Sequence, residues 1–451
     1  MLTIETISAI ATPPGQGGVG VIRLSGPLSP QIAIALSARP LPAPRYAALR
    51  EFAASPEDAP IDRGLLIYFP APHSYTGEDV VELHAHGGPV VLDMLLQATL
   101  LQGARQARPG EFTERAFVNG KIDLAQAEAV ADLIAARSQT AALSASRSLE
   151  GALSHRVNEL CEHLVNLRAY VEASIDFPDE ELELMQAGQV GERTLELQHQ
   201  CDAIVAQAQQ GVMLTEGLRT VLVGAPNVGK SSLLNALSGA DSALVTPIPG
   251  TTRDVIREQI QINGLPLILM DTAGLRETSD LVEQLGNERA RAAMRDADLV
   301  LLVTDCEPDD PRSSLPRIET SAGARLVIRN KVDLSDADAG YISGLPEVEP
   351  IWVRVSATTG AGLDTLREAI HSSVGFNQHA TPFAARRRHL RAFAQTSDAL
   401  ARIPTLLTPI AHLELVAEEL RLAHECLQTI TGRFTTEDLL GEIFSAFCIG
   451  K

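Results

Sequence analysis

Apolar and polar positions alternate along this chain in four successive textures. The first 120 or so residues carry β-rich segments such as Gly20 to Leu24 and Gly64 to Phe69 among many Gly and Pro turn signals, which predicts mixed α+β structure. From Leu124 to about Gln210 the chain turns rich in Ala, Leu, Glu and Gln, and Leu160, Leu164, Leu167 and Val171 recur at the spacing of one helical face. Between about Arg219 and Ser356 short β-type runs alternate with helical ones: Thr220 to Val223, Pro266 to Met270, Leu299 to Val303, Leu326 to Arg329 and Ile351 to Val355. That alternation predicts a doubly wound α/β sheet. Helical spacing then resumes at Leu413, Val416, Leu420, Ala423, Leu427 and Ile430, with Gly432 where a C-cap glycine belongs. The simplest architecture is multidomain, α/β and all-α: an N-terminal α+β module, then a helical domain made of two chain segments with an α/β domain inserted between them.

Composition narrows the class. A chain of 451 residues exceeds one ordinary core, and 45% apolar with 21% charged residues is a globular balance. The formal net charge of −20 argues against a surface that grips RNA everywhere, because phosphate contact needs clustered Lys and Arg; any nucleic-acid contact is expected to be local or shared. Cys161, Cys201, Cys306, Cys426 and Cys448 stand singly, without zinc or disulfide spacing, so a reducing cytoplasm is expected. The start of the chain lacks a basic run before an apolar stretch, and its longest apolar segments are strand-sized, so neither export nor a membrane span is predicted.

The chemistry concentrates between residues 224 and 358. Gly224-Ala225-Pro226-Asn227-Val228-Gly229-Lys230-Ser231 satisfies the phosphate-loop pattern and lies between a predicted strand and the helix-like run Ser232 to Leu237. Its glycines let backbone N–H groups turn toward phosphates, Lys230 adds positive charge, and the Ser231 hydroxyl can ligate magnesium. Asp271-Thr272-Ala273-Gly274 follows an apolar strand, which puts a carboxylate within reach of magnesium and the Gly274 N–H toward a γ-phosphate. Thr252 is the natural second magnesium hydroxyl. In Asn330-Lys331-Val332-Asp333 the carboxylate can accept two hydrogen bonds from guanine, a donor pair that adenine lacks, and Ser356-Ala357 supplies the backbone contact to the base oxygen. Together these motifs predict a GTPase.

Two residues bear on mechanism. Leu275 follows Gly274 where some GTPases carry a water-positioning glutamine, so another group must act. No arginine accompanies the phosphate loop, yet Asn227 offers a neutral amide oxygen suited to a monovalent cation.

Other patterns carry less. Gly15-Gln16-Gly17-Gly18-Val19-Gly20 matches a dinucleotide fingerprint but leads into a strand rather than a helix. His84-Ala85-His86 could be a metal pair, though without a third ligand a strand-to-loop histidine is the blander reading. Cys448-Ile449-Gly450-Lys451 sits where a prenylation box would but fits one poorly. Arg386-Arg387-Arg388 is the one compact basic cluster; it could touch nucleic-acid phosphate or form a solvated helix face.

The chain resembles, over essentially its full length, the MnmE (TrmE) family of GTPases that modify the wobble uridine of tRNA. Beyond the GTPase motifs the resemblance rests on Ala11 to Gly15 with Gly17 to Gly20, Tyr75 to Asp79, His86 to Pro89, Arg108 to Phe112, Asp176 to Glu180 and Phe447 to Lys451. It implies an N-terminal folate-binding and dimerisation domain at 1–119, a helical domain from 120–215 and 376–451, and an inserted Ras-like P-loop GTPase domain at 216–375. It also implies magnesium held by Ser231 and Thr252, and a potassium ion held by Asn227 and the loop bearing Thr246, Ile248 and Thr251 in place of an arginine finger. The GTP site would draw on Asn227 to Ser232, Thr246, Thr251, Thr252, Asp271 to Gly274, Asn330, Lys331, Asp333 and Ser356 to Thr358. By the same resemblance Glu283 orients the attacking water, although on its own it could be a solvated helical carboxylate.

Arg23, Glu82, Lys121 and Lys451 carry over as the site for 5-formyl-tetrahydrofolate, with Cys448 nearby as a group of possible chemistry or a structural cysteine. The resemblance further implies a homodimer and a heterotetramer with a flavin-dependent partner of the MnmG (GidA) type, together attaching an aminomethyl or carboxymethylaminomethyl group to tRNA. Two rivals share the GTPase core: a ribosome-assembly factor, which would not need Arg23, Lys121 or the Cys448-to-Lys451 tail, and a membrane-remodelling GTPase, disfavoured by the lack of a basic amphipathic helix or lipid anchor.

Overall fold

The computed structural model describes residues 5–55, 57–176, 187–225, 227–238, 258–270, 294–295, 297–305, 324–342, 350–377, 380, 382–407, 412–433, 437–445 and 447–450. Contacts divide the chain into two compact units, Met1–Ala131 with Leu149–Val190 and Arg402–Lys451, and Asp132–Ser148 with Gly191–Ala401.

The first unit is built on a sheet of β1 (Ile7–Ile10), β2 (Gly17–Ser25), β3 (Ala48–Phe52), β4 (Asp62–Phe69), β5 (Val80–Gly87) and β6 (Arg105–Gln106), in the order β3-β4-β5-β2-β1-β6. All neighbours are antiparallel except β1 and β6. Alternation decides its faces. Ile22, Leu24, Val81, Leu83 and Ala85 point into a core closed by the helices Ser29–Ser37 and Pro89–Leu101, through Ile32, Leu36, Leu92 and Leu95. Arg23, Glu82 and His84 fall on the opposite side of the same strands.

The helical spacing read at Leu160, Leu164, Leu167 and Val171 is a buried stripe of the 25-residue helix Ala152–Asp176. It packs against the helix Leu413–Thr431, which buries Val416, Leu420, Ala423, Leu427 and Ile430. Gly432 ends the latter in the left-handed region, φ 85°, and any Cβ there would lie 2.8 Å from Phe117 and Leu124. Glycine is thus required on two counts. The tail of the chain returns to the N-terminal module: Pro109 and Ile449 form an antiparallel bridge, and Phe444 and Phe447 pack with Leu124 and Phe117.

In the second unit β7 (Leu218–Val223), β8 (Glu258–Ile262), β9 (Leu265–Leu269), β10 (Leu299–Thr304), β11 (Ala324–Arg329), β12 (Gly340–Tyr341) and β13 (Ile351–Arg354) form a sheet in the order β12-β13-β11-β10-β7-β9-β8. The five central strands are parallel. Both faces are buried: Leu222, Leu301, Val303, Leu326, Ile328 and Val353 on one side with the helices Lys230–Ser238 and Leu363–Ser373, and Val221, Val223, Val300, Leu302, Val327 and Trp352 on the other. Burial on both sides is why these strands read as unbroken apolar runs. The expected parallel alternation is present, but two antiparallel edge strands join it. The polar-apolar pattern Glu-Gln-Ile-Gln-Ile of β8 is that of an edge, and β12 has only two residues.

In the basic cluster at Arg386 to Arg388, Arg386 and Arg387 are half-buried and ion-paired rather than lying on a freely solvated face. Arg386 donates to Asp132 at 2.7 Å, and Arg387 makes a fork on Asp298, at 3.1 and 2.6 Å, while also donating to Glu216 at 2.9 Å. Carboxylates distant in the chain take up the charge. Among the described residues no helix is long and apolar enough to cross a membrane, and no group of three His, Cys, Asp or Glu could hold a metal.

Candidate functional site

The nucleotide motifs assemble at the carboxyl ends of β7, β11 and β13, outside the parallel sheet, where open α/β sheets take ligands. Gly224 follows β7, and Lys230 opens the nine-residue helix Lys230–Ser238 with the exposed Ser231 and Ser232 beside it. First-turn amides of such a helix face an anion without helical partners. Asn227, also exposed, holds φ at 64°, and Gly229 at 91°. Lys230 Nζ donates to the carbonyls of Gly224 and, at 2.9 Å, Ala225, so its charge sits over the loop; burial pulls its pKa below the ordinary lysine value.

Asn330 ties three motifs together. Its side chain is buried; Nδ2 donates to the Val228 carbonyl at 2.9 Å, and Oδ1 accepts the Ala357 N–H at 3.0 Å. One amide thus holds the phosphate loop against the segment Ser356-Ala357, and a Cβ on Gly229 would lie 2.4 Å from its Nδ2. Lys331, left-handed at φ 62°, turns its ammonium onto Asp305 at 3.0 Å. The next residues form the short 3-10 turn Val332–Leu334, whose Val332 N–H donates to Val355 O, and Asp333 is exposed on it. Ser356 is buried with its hydroxyl accepting from Thr359 N–H at 3.1 Å, and Thr358 is exposed beside it.

Thr246, Ile248, Thr251, Thr252, Asp271, Thr272, Ala273, Gly274, Glu283 and Lys451 lie outside the described residues.

In the first unit Arg23 and Glu82 stand directly across β2 and β5 and form an ion pair. Arg23 Nε and Nη2 both donate to Glu82 Oε1, at 3.1 and 2.9 Å, and the guanidinium lies 5.7 Å from the Tyr75 ring centroid and 5.8 Å from that of Phe112. Tyr75 belongs to the 72–79 loop, which polar contacts hold in place: Ser25 donates to Glu78 at 2.7 Å, Arg115 to Glu78 at 2.9 Å, and Asn119 to Thr76 O at 2.7 Å. Lys121 reaches the same loop, donating to Pro72 O at 3.0 Å. Three of the four residues named for folate therefore converge on one face and one loop. Cys448 is exposed in the tail that follows Phe447, and its carbonyl accepts from Gly110.

Sequence reasoning quoted Tyr75 and Phe112 only inside motifs and missed that both flank Arg23. It also left His84 as a bland histidine, whereas its Nε2 lies 3.2 Å from Glu82 Oε2. His86 instead meets Asp62.

Comparisons with known proteins bear on both sites. The model of the GTP-binding protein TrmE N-terminus matches residues 6–121, and that of the MnmE helical domain matches 124–448. Two relatives, each called tRNA modification GTPase MnmE, are 52% identical, from Pseudomonas aeruginosa, and 51% identical, from Methylococcus capsulatus, with 99% of both chains covered in each case. The chain belongs to the MnmE family. In this MnmE-family chain Arg23, Glu82 and Lys121 fall inside the span of the TrmE N-terminal match and Cys448 at the end of the helical-domain match. A solved structure, translation elongation factor SelB from Methanococcus maripaludis in its apo form, is 16% identical over 35% of this chain and 34% of that one at a TM-score of 0.22, a likeness that carries no argument.

Proposed function

We infer that this chain is a GTP hydrolase that takes part in tRNA modification. The observation that carries the reading is the Asn330 clasp, which brings the phosphate loop and the Ser356-Ala357 segment together at the carboxyl end of a parallel sheet. The inserted domain is Ras-like and doubly wound, within boundaries 1–119, 120–215, 216–375 and 376–451 for the N-terminal, first helical, GTPase and second helical segments.

The residues suit the groups they would hold. Ser231, exposed at a helix start beside Lys230, would offer its hydroxyl to magnesium, with Thr252 as the second hydroxyl, and the metal would supply positive charge to the phosphates. Asn227, exposed at the rim of the loop, offers an amide oxygen to potassium, with Thr246, Ile248 and Thr251 completing the set. Such a cation supplies positive charge where charge develops on the transferred phosphoryl group. Glu283 orients the attacking water, since Leu275 cannot.

The Arg23–Glu82 face with Lys121 suits a one-carbon folate: cationic side chains for its carboxylate tail, and a carboxylate for the N–H groups of its pterin. With a flavin-dependent MnmG-like partner, a homodimer in the cytoplasm installs an aminomethyl-type group on the wobble uridine, and hydrolysis drives the paired GTPase domains between open and closed states.

Two results are expected. Glu283→Ala slows GTP turnover in potassium buffer by about 100-fold or more while nucleotide affinity stays within a few-fold, the usual loss when a water-positioning group goes; normal turnover would remove Glu283 from the mechanism. Saturating 5-formyl-tetrahydrofolate raises the melting temperature of the full chain, and an unshifted melt would favour the ribosome-assembly reading. Wobble-nucleoside analysis of a deletion strain tests the tRNA role directly.

A further inference from the structure

The Arg23–Glu82 pair leaves one geometric question, which atom fixes the plane of the carboxylate. Both guanidinium contacts fall on one oxygen, Glu82 Oε1. A carboxylate held at a single oxygen turns broadly about its terminal torsion. The second oxygen, Oε2, faces His84 Nε2 at 3.2 Å. Glu82 and His84 are two residues apart on β5 and so share a sheet face, with Arg23 opposite Glu82 on β2. The cross-strand neighbours of His84 are Val21 on β2 and Leu65 on β4, and that of Glu82 on β4 is Ile67, so no competing charge stands beside the contact from those strands. The side chains of Arg23, Glu82 and His84 are 18%, 17% and 26% exposed, enough to meet a ligand and too little to reorient freely.

We propose that His84 is a positioning residue for the folate site: as an Nε2–H donor to Oε2 it holds the Glu82 carboxylate coplanar with a pair of parallel N–H donors on the ligand, the donor pattern of a pterin's amide and exocyclic amine. The proposal rests on the folate reading of this site. Arg23 anchors Oε1 and His84 anchors Oε2, which leaves the outer lone pairs of both oxygens directed at one planar group. Two-point recognition of that kind is lost when the plane is free to rotate.

The reach of the donor makes the test specific. A glutamine amide nitrogen extends about as far from the backbone as Nε2 and can replace it, whereas the shorter asparagine reaches only as far as Nδ1. The full chain and its His84→Gln, His84→Asn and Arg23→Gln variants are titrated calorimetrically with 5-formyl-tetrahydrofolate, and separately with p-aminobenzoylglutamate, which carries the anionic tail but no pterin.

His84→Gln is expected to bind the folate within about threefold of the wild type and His84→Asn about tenfold or more weakly, the loss of one hydrogen bond to a charged group. Both variants should bind the tail compound as the wild type does. A lower melting temperature in His84→Asn leaves the decision to the ratio of the two affinities, since loss of folded protein affects both ligands alike. Unchanged folate binding in His84→Asn, equal loss in both variants, or equal loss of both ligands would overturn the proposal. Undetectable folate binding by the wild type, or full binding by Arg23→Gln, would instead remove the folate reading and this proposal with it.

Discussion

Asp333→Asn is expected to weaken GTP binding by about 100- to 1,000-fold and to shift preference toward xanthosine triphosphate. Asp333 is exposed on the turn Val332–Leu334, and that turn is tied by Val332 N–H to Val355 O, one residue before the buried Ser356. The turn that carries Asp333 is therefore tied next to the segment proposed to meet the other edge of the base. Each hydrogen bond from a neutral donor to a charged acceptor is worth about 1.5–3 kcal/mol net. Converting one carboxylate oxygen to an amide nitrogen removes one acceptor, turns a donor toward the guanine donors, and costs about 3–4 kcal/mol, at about 1.4 kcal/mol per tenfold. Xanthine carries an oxygen where guanine carries the exocyclic amine, so the new amide N–H finds an acceptor and affinity returns. Competition against a fluorescent GTP analogue measures both changes. Equal GTP affinity in the variant would mean that Asp333 does not read the base.

Glu111→Gln should destabilise the N-terminal module by about 3–5 kcal/mol at pH 7, the usual consequence of breaking a buried ion pair from one side. The Glu111 side chain is 4% exposed at the start of the helix Glu111–Val118, with Arg105 forking onto both its oxygens at 3.1 and 2.7 Å, Arg115 donating at 3.1 Å and the Arg108 N–H at 2.8 Å. Burial raises its pKa, but the Arg105 and Arg108 N–H hydrogen bonds and the neighbouring guanidinium charges outweigh it and hold the carboxyl at about 2, against an ordinary 4.5.

Because the folded-state pKa is depressed, the stabilisation is complete above the ordinary carboxylate range and disappears as pH falls from about 4.5 toward about 2. Over that window roughly 3 kcal/mol is lost, at about 1.36 kcal/mol per pKa unit. Thermal melts of the wild type and Glu111→Gln at pH 7 and pH 3 test this. The two melting temperatures should lie far apart at pH 7 and draw closer at pH 3, where about 2 kcal/mol of that stabilisation is already gone, and a constant gap would show that the carboxylate's charge does not matter. The same variant should loosen the 72–79 loop, since Glu111 also holds Arg115, which holds Glu78.

Much of the second unit was legible because its signals are local. A parallel strand buried on both faces is an apolar run such as Leu299 to Val303, and a phosphate loop is a contiguous motif. Asn330 was legible in the sequence as a candidate nucleotide-site residue. Its work as a clasp was not, because both partners, Val228 and Ala357, are distant in sequence and are backbone groups that carry no side-chain signature. Arg387 was misread for a related reason: a run of three arginines looks like a free charge until Glu216 and Asp298 arrive from 171 and 89 residues away.

In the N-terminal module the balance is reversed. Glu82 and His84 are neighbours by strand periodicity alone, whereas the pairing of Arg23 with Glu82 depends on the register of β2 against β5, and a one-residue slip would send Arg23 into the core.

The sequence by itself determined the class of chemistry and the order of the elements, since phosphate-loop, base-reading and strand patterns depend on residues close along the chain. Only the tertiary structure decided which of those residues meet. The Asn330 clasp, the Arg23–Glu82–His84 row and the arginines around Glu111 each join segments brought together by sheet register and helix packing, and those long-range placements are selected by burial of the whole core rather than by any local pattern.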